Sequence, residues 1–410
     1  MHDIFDEAIQ RIFDAKAGKV EPSLPLIDAK TPKNFSLNTR MRFGMGIYLL
    51  MTGPPGTGKT SFVDTHFVLN PILAHLSDNS QPKPRIVYRC MERPPVDKMV
   101  KFIAYLMWHE YGEIIDVPTL LQYSNKKRLL TETDMRQIAE LRGYIDLISQ
   151  NDYIDLVGGR DTPAGVMDYM MAEAHRRGAY VVSDMEKIWV NGKEVSDFTS
   201  AEKTAHGRIF KVIRGRTGRE IKVYQKMNKF FPHDPNLMLI HIIDTANNVE
   251  GHDVLETLNA HTKNQAKLRD AKICGAIDIV QMGRDTEREM RARGSHLSIN
   301  LKDIKGSGNF GQNADIALSI LDPMYFDIEK WGPEGFEYDL RRFYGTFRLF
   351  QIFKNSHGGS LYKMPCIFLG ENGYFYELPH PNHMTEEMYE KVNKMFHREH
   401  IRKDLKDELF

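Results

Sequence analysis

A glycine-rich stretch near the start of the chain carries the pattern best suited to chemistry. Residues 53–61 read GPPGTGKTS and match the pattern G-x-x-x-x-G-K-T of a phosphate-binding loop. Its glycines let backbone N–H groups converge on phosphate oxygens, Lys59 can reach the terminal phosphates, and the Thr60 hydroxyl can bind Mg²⁺. The sequence therefore predicts a site for ATP and Mg²⁺ made of Gly53, Pro54, Pro55, Gly56, Thr57, Gly58, Lys59, Thr60 and Ser61.

Three polar residues stand where apolar runs end. Glu92 follows the run RIVYRC and is a candidate to orient and deprotonate the attacking water, although it could also be a surface residue that caps the next helix. Asp244 ends the run LMLIHIID, which is the usual position of a carboxylate that holds Mg²⁺ through its water shell. Gln281 ends the run ICGAIDIVQ and is a candidate sensor of the terminal phosphate.

The loop after Gln281 is rich in arginine and glycine. It reads MGRDTEREMRARGSHLSINLKDIKGSG and leads into NFGQNADIALSIL. Flexible basic loops suit contact with a nucleic-acid backbone, because charges and backbone N–H groups bind phosphates without reading base sequence. Four arginines of this loop are candidate contacts to DNA: Arg284, Arg288, Arg291 and Arg293.

The elements that must position these residues alternate between strands and helices. Apolar runs such as IYLLMTG, RIVYRC, LMLIHIID and ADIALSIL are separated by helical segments, which predicts a mostly parallel sheet covered on both faces. The phosphate-binding loop would then lie at the carboxyl end of the first strand. The later runs RLFQIFKN, CIFLG and YFYEL, punctuated by glycine, predict antiparallel strands at the sheet edge.

One region, at about 180–235, breaks this alternation. It contains two hairpin-like units, one turning at Asn191-Gly192 and the other near residues 215–218, and we expect a β-hairpin insertion there. The second unit is rich in arginine and lysine with interleaved aromatic residues. It is either a solvated ribbon or an arm that contacts nucleic acid.

Composition sets limits on the class of protein. The chain has 410 residues with 55 basic and 55 acidic side chains, which argues against a surface coated in positive charge but not against a local basic channel. Its three cysteines are far apart in apolar runs and are expected to be buried thiols in a reducing cytoplasm. No stretch approaches the roughly 20 apolar residues of a membrane span, and the N-terminus lacks the pattern of a signal peptide.

The order of the motifs resembles the RecA-type ATPase domain of the DnaB-type replicative helicases, including the phage members of that group. After the phosphate-binding loop come CMERP, IIDTANN, DIVQMGRD and DIKGSGNFGQNADIAL. The family reads S-L-E-M-P at the first of these and D-L-R-E-S-G-x-I-E-Q-D-A-D at the last. The similarity covers roughly residues 40–380, is interrupted by the hairpin insertion, and is most specific in the last motif.

The resemblance implies a RecA-like P-loop fold and a role for each matching residue. It implies a hexameric ring of identical subunits in the cytoplasm of a bacterium or a phage-infected host, with ATP bound between subunits and single-stranded DNA in the centre. A primase or a helicase loader are candidate partners. Glu92 would be the general base, Asp244 the Mg²⁺-linked acid and Gln281 the sensor, and Lys305, Gly306 and Gly308 would lie on the loop that grips DNA.

Two departures from the family bear on its activity. The family ends its core with K-x-R-x-G, whose arginine enters the neighbouring subunit's nucleotide site, whereas this chain reads KNSHGG. Lys354 matches the family's lysine and could neutralise phosphate charge across the interface, but Ser356 occupies the arginine position. The second departure is that only an amphipathic helix over 3–18 is expected before the core, and it would pack on its own domain or on a neighbouring subunit.

These observations predict three segments and leave three functions open. The segments are an N-terminal helix and linker over 1–39, an ATPase core over 40–380, and a charged helical tail over 381–410 that is solvated or loosely docked. The leading function is an ATP-dependent, ring-forming DNA helicase that acts in replication. The alternatives are a DNA-binding ATPase that does not unwind, as a recombination mediator, loader or regulatory relative, and a structural nucleotide-binding module that barely hydrolyses; Ser356 favours these weaker hydrolysers.

Overall fold

The computed structural model describes most of the chain between Pro22 and Lys394. The described residues are 22–26, 40–121, 129–183, 187–194, 210–214, 220–224, 227–283, 297–304, 308–357 and 362–394, together with the single positions 9, 13 and 16. The predicted N-terminal helix lies outside them apart from those three positions, and so do residues 395–410 of the tail. Among the described residues, none of the helices has the length and apolar character needed to cross a bilayer.

A nine-stranded sheet forms the centre of the protein. Its neighbouring strands follow the order β17-β16-β15-β12-β1-β11-β10-β2-β3. Six of the strands, from β12 to β3 in that order, run parallel, and β15, β16 and β17 continue the sheet antiparallel. The bounds are β1 (Tyr48–Thr52), β2 (Lys83–Cys90), β3 (Ile154–Gly158), β10 (Leu237–Asp244), β11 (Gly275–Ile279), β12 (Ile316–Leu321), β15 (Phe347–Asn355), β16 (Tyr362–Leu369) and β17 (Tyr374–Glu377).

The predicted sheet is therefore confirmed, including its antiparallel edge. All residues of β1, β10, β11 and β12 are buried, which explains why these strands are continuous apolar runs instead of alternating ones. Because every parallel strand ends at the same edge, the loops after β1, β2, β10 and β11 meet there. This edge is where the candidate residues of the sequence are expected to converge.

Helices cover both faces of the sheet. Successive residues of β1 point to opposite faces: Leu49 and Met51 pack in the cluster with α1, α2, α3 and α5, whereas Tyr48 and Leu50 pack in the cluster with α6, α7 and α8. The bounds are α1 (Lys59–Val63), a π-helical stretch (Asp64–Leu69), α2 (Asn70–Ser77), α3 (Pro95–Tyr111), α4 (Val117–Leu120), α5 (Glu132–Gln150), α6 (Pro163–Arg177), α7 (Val254–Asp270), α8 (Gly308–Asn313) and α9 (Glu386–Lys394). Short 3₁₀ turns span Ala246–Asn248, Leu301–Asp303, Pro323–Phe326, Leu340–Phe343 and Pro381–His383.

The predicted β-hairpin insertion is present. Its described strands are β4 (Gly178–Ser183), β5 (Ile188–Val190), β6 (Lys193–Glu194), β7 (Phe210–Arg214), β8 (Glu220–Tyr224) and β9 (Met227–Pro232). The first hairpin turns at Asn191 and Gly192, both with positive φ, as predicted. The second pairs β7 with β8, but its turn and its side chains lie outside the described residues, so contact with nucleic acid stays a prediction. The sequence did not predict that β4 pairs with both β5 and β9 to form a four-stranded sheet.

The start of the predicted tail is docked firmly instead of loosely. Tyr389 and Val392 on α9 are buried in a second core cluster beside Phe343. The Arg342 guanidinium lies 3.8 Å from the centre of the Tyr389 ring and pairs with Glu386. This cluster also holds a small hairpin between β12 and β15, formed by β13 (Lys330–Trp331) and β14 (Tyr338–Asp339), which the sequence did not predict.

Part of the predicted linker also contacts the core. Leu24 and Leu26 are buried in the main hydrophobic cluster, and the Leu24 N–H donates to the Phe43 carbonyl. The Leu26 carbonyl oxygen lies 2.9 Å from His66 Nδ1 and accepts from the Asn70 amide. Residues 22–26 therefore form a strap over the helix that follows the phosphate-binding loop.

Candidate nucleotide site

The phosphate-binding loop connects β1 to α1 in a conformation that needs glycine. Gly58 has φ +99°, and a Cβ there would lie 2.8 Å from the Phe368 ring. Gly53 has φ +149°, and a Cβ there would lie 2.3 Å from the Ile320 carbonyl oxygen. The Lys59 ammonium donates to the carbonyl oxygens of Gly53 and Pro54 at 2.9 and 2.7 Å, which holds it over the loop.

A cavity of about 240 Å³ opens beside this loop. It brings together most of the predicted site residues, including Glu92, Asp244 and Gln281 from the ends of three different runs. Gly53, Pro54 and Thr57 shape the loop without lining the cavity; the Thr57 hydroxyl donates to the Pro54 carbonyl. The lining residues are Pro55, Gly56, Gly58, Lys59, Thr60, Ser61, Cys90, Glu92, Arg93, Asp97, Lys98, Lys101, Asp244, Thr245, Ile279, Gln281 and Phe368.

Asp244 and Thr60 form the oxygen pair expected to hold Mg²⁺. Asp244 Oδ1 accepts a hydrogen bond of 3.0 Å from the Thr60 hydroxyl. Burial alone would raise the pKa of the Asp244 carboxyl, but the Lys98 ammonium and the Thr60 hydroxyl hold it below its usual value. The carboxyl is therefore ionised at neutral pH.

This donor set fits Mg²⁺ as nucleotide-binding proteins hold it. Mg²⁺ prefers oxygen ligands and commonly takes one or two protein groups, several waters and the phosphates of its substrate. In the part of the chain that the structure describes, no cluster of three or more His, Cys, Asp or Glu side chains could hold a metal by itself. A site made of Thr60, Asp244 and nucleotide oxygens agrees with both statements.

Glu92 lies at the rim of the cavity, held by the strand beside it. The backbone N–H groups of Met91 and Glu92 donate to the Asp244 carbonyl oxygen at 2.8 and 3.1 Å. Its side chain is exposed, and Oε2 accepts a hydrogen bond of 3.0 Å from the Thr245 hydroxyl. The carboxylate thus faces the cavity in a fixed orientation and does not cap α3.

Gln281 is held through its backbone. Its N–H donates to the Asn247 side-chain oxygen at 2.8 Å, which connects the end of β11 to the turn after β10. Its side chain lines the cavity. Its role as a phosphate sensor stays a prediction.

The cavity also contains charged residues that the sequence analysis missed. Lys98 and Lys101 lie on α3 and line it, and Lys98 pairs with Asp64 and Asp244. Burial lowers the pKa of the Lys101 ammonium. One signal was available: Asp64 stands four residues after Thr60 and therefore on the same face of the helix, inside the otherwise apolar SFVDTHFVL.

The structure places Lys354 away from this cavity in its own subunit. Its ammonium donates to three carbonyl oxygens at the end of α8, those of Gly311, Gln312 and Ala314, at 2.5–3.1 Å. These are carbonyls that a helix end leaves without an intrahelical partner. A role for Lys354 across a subunit interface stays a prediction, and Ser356 beside it is exposed.

We expect Lys354→Met to destabilise the protein because the carbonyl groups at the end of α8 lose their donor. Loss of such hydrogen bonds lowers the free energy of unfolding by about 1–3 kcal/mol. Urea unfolding of the variant measures the change, with Lys302→Met, which removes an exposed lysine, as the control. Equal midpoints for Lys354→Met and the wild type would contradict the capping role.

The predicted DNA contacts cannot be placed on this site. Lys305 and Gly306 lie outside the described residues, and so do Arg284, Arg288, Arg291 and Arg293. Gly308 is the first residue of α8. All three cysteines are free and buried, as the sequence predicted.

Comparison with solved structures identifies the fold. The ATPase domain of a phage helicase is similar to this chain with a TM-score of 0.55 and 14% identity, covering 92% of this chain and 99% of that one. The chain has the RecA-like fold of a helicase ATPase domain. A DnaB-like replicative helicase that interacts with primase is similar with a TM-score of 0.57 and 14% identity, covering 91% of this chain and 68% of that one. No family model and no curated protein sequence matches the chain.

Proposed function

We propose that this protein is a Mg²⁺-dependent ATPase that forms a ring, translocates on single-stranded DNA and unwinds duplex DNA during replication. The observation that carries the proposal is the convergence of the phosphate-binding loop, Asp244, Glu92 and Gln281 on one cavity. The RecA-like helicase fold supports the coupling of this ATPase to DNA. On this proposal single-stranded DNA is the partner, and the protein acts in the cytoplasm.

The residues of the cavity divide the reaction among them. Lys59 and the backbone N–H groups of the loop bind the phosphates, and Thr60 with Asp244 would hold Mg²⁺, which neutralises charge on the transferred phosphoryl group. We assign to Glu92 the task of accepting the proton of the attacking water. Because Thr245 occupies Oε2, Oε1 is the oxygen that we assign to that water.

One observation favours a second candidate function. The ammonium of Lys354 binds carbonyl groups of its own chain, and Ser356 replaces the arginine that the resemblance implies. A chain without a cation to insert into the neighbouring site would hydrolyse ATP slowly, because such an arginine can contribute a factor of about 10³–10⁵ to the rate. A DNA-binding ATPase that does not unwind fits this observation.

Two measurements on the same samples separate these functions. ATP hydrolysis is measured at rising protein concentration with and without single-stranded DNA, and displacement of one strand from a forked duplex is measured in parallel. A ring helicase gives DNA-stimulated hydrolysis that rises faster than in proportion to concentration, together with strand displacement. Lys59→Ala is the control and should lack both activities.

Each other outcome contradicts part of the proposal. Hydrolysis strictly proportional to concentration, with no strand displacement, would leave the DNA-binding ATPase as the function. Hydrolysis that Lys59→Ala retains would assign the activity to a contaminant. Binding of primase, which the similar DnaB-like helicase shows, is tested by co-purification with the full chain.

A further inference from the structure

A buried ion pair lies directly behind Asp244. The Lys98 ammonium is 3.1 and 3.0 Å from the two carboxylate oxygens of Asp64, 2.7 Å from the Tyr88 hydroxyl and 3.1 Å from Asp244 Oδ2. The side chains of Lys98, Asp64 and Asp244 are only 5%, 6% and 8% exposed. Three charged groups therefore share one water-poor space at the back of the cavity.

Stability does not explain charges at this place. Removing two ions from water costs more than their attraction often returns, so apolar residues of similar volume stabilise a core as well or better. Asp64 shows this cost, since burial raises the pKa of its carboxyl above the usual value although Lys98 lies beside it. A role in the adjacent site is the remaining reason for the pair to be there.

The geometry of Asp244 indicates what that role is. Its two carboxylate oxygens have different partners: Oδ1 accepts from the Thr60 hydroxyl, whereas Oδ2 accepts from Lys98 and from the Tyr88 hydroxyl. The carboxylate is thus fixed from behind. Rotation about its last bond would break the contacts to Lys98 and Tyr88.

Asp64 connects this support to the phosphate-binding loop. It is the first residue of the π-helical stretch that continues α1, four residues after Thr60. A π-helical turn changes the direction in which following side chains point, and such turns are frequent at functional sites. One continuous helix therefore carries both the hydroxyl in front of Asp244 and the anchor of the lysine behind it.

We propose that Lys98, held by Asp64, is a positioning residue that keeps Oδ2 of Asp244 turned away from the cavity and presents Oδ1 to the divalent cation of a bound nucleotide. This inference rests on the proposed ATPase function. It concerns a residue that acts through Asp244 and has no contact with substrate of its own.

The test is a double substitution that removes both charges together. Lys98→Met alone would leave the Asp64 carboxylate buried without a partner and would endanger folding. Asp64→Leu combined with Lys98→Met keeps similar volumes and the same net charge. A loss of metal affinity in this variant would therefore reflect the orientation of Asp244 and not a change in the charge around it.

Two binding measurements give the result. Affinity for ADP is measured in EDTA, and affinity of the ADP complex for Mn²⁺ is measured by electron paramagnetic resonance. We expect ADP affinity without metal to stay within about threefold, and Mn²⁺ affinity to fall by about 10–100-fold, as for other groups that orient a metal ligand. The matched control is Arg85→Met with Glu173→Leu, another buried ion pair, which does not line the cavity and should leave Mn²⁺ affinity unchanged.

The possible contrary outcomes are distinct. Mn²⁺ affinity within twofold of wild type in the folded double variant would overturn this inference alone. Absence of ADP binding to the wild type would overturn the ATPase proposal and this inference with it. If the first double variant does not fold, Asp64→Asn with Lys98→Gln, which keeps polar atoms at both positions, is measured in the same way, and unchanged Mn²⁺ affinity there has the same meaning.

Discussion

Replacing Glu92 with glutamine should abolish ATP turnover and leave nucleotide affinity nearly intact. The amide keeps the size of the carboxylate, and its oxygen can still accept the hydrogen bond from Thr245. It cannot accept a proton from water, however, and loss of a general base lowers the rate by about 10²–10⁴-fold. Lys59→Ala should differ, because it removes a group that binds the phosphates before any reaction occurs.

The measurement compares kcat with nucleotide affinity in both variants. Steady-state hydrolysis gives the first, and the affinity for a fluorescent ADP analogue gives the second. Glu132→Gln makes the same chemical change at an exposed position on α5 and should leave both values unchanged. Wild-type turnover in Glu92→Gln would show that the base lies elsewhere, whereas a large loss of affinity would show that Glu92 helps to bind the nucleotide.

The fold and one side of the site could be predicted because parallel sheets impose simple rules. A strand buried on both faces must be an apolar run, and six such runs are the six parallel strands. Their carboxyl ends share one edge, so the polar residue after each run is directed to the same place. Glu92, Asp244 and Gln281 were found in this way, and all three line the cavity.

The other side of the site depends on packing that local patterns do not encode. Lys98 reaches Asp244 only because α3 packs across α1 and because the π-helical stretch turns Asp64 toward it. Each of the two segments on its own has the pattern of an ordinary amphipathic helix. The same limit applies to Lys354, whose sequence motif indicates an interface residue but whose ammonium binds the end of α8.

The docking of α9 illustrates a different limit. The segment is dominated by charged residues, which favours a solvated helix. Tyr389 and Val392 lie three residues apart and form a narrow apolar face, which is enough to bury both against the second core cluster. The hairpin of β13 and β14, which contributes to that cluster, has strands of two residues each, too short for a pattern of alternation.

A buried polar network on the opposite face of the sheet gives the last prediction. Asp278 on β11 accepts hydrogen bonds from Tyr48 and Gln265 at 2.6 and 3.0 Å and lies 2.9 Å from His261 Nε2. His241 on β10 joins this network through Gln265, whose side-chain oxygen lies 3.3 Å from His241 Nδ1. All of these groups are buried, so each change of protonation is linked to unfolding.

The state of His241 follows from its partners. Gln265 Oε1 can only accept, so Nδ1 carries the hydrogen and Nε2 is unprotonated. Nε2 is buried without a hydrogen-bond partner in the described part of the chain. Burial, with a smaller effect of Arg89, lowers the pKa of His241 from 6.5 to about 3. The folded protein therefore keeps this histidine neutral under conditions in which the unfolded chain protonates it.

We expect the free energy of unfolding to fall as pH falls from about 6.5 toward 3. In that range the unfolded state binds a proton at His241 that the folded state refuses, so protonation favours unfolding by up to about 1.4 kcal/mol for each pH unit. Asp278 acts in the same direction at the acid end. Burial would raise the pKa of its carboxyl, but His261 and Tyr48 hold it below the usual value, so its contribution is lost as pH falls through that lowered pKa.

Urea unfolding of the wild type and of His241→Leu at pH 7, 6, 5 and 4 isolates the contribution of the histidine. The leucine variant should be less stable at pH 7, because Gln265 loses its partner in the core. It has no group that titrates at this position, so its stability should depend less steeply on pH than that of the wild type. The two curves should therefore approach each other as pH falls, by up to about 1.4 kcal/mol per unit, and curves that stay parallel from pH 7 to pH 4 would show that His241 is not the group responsible.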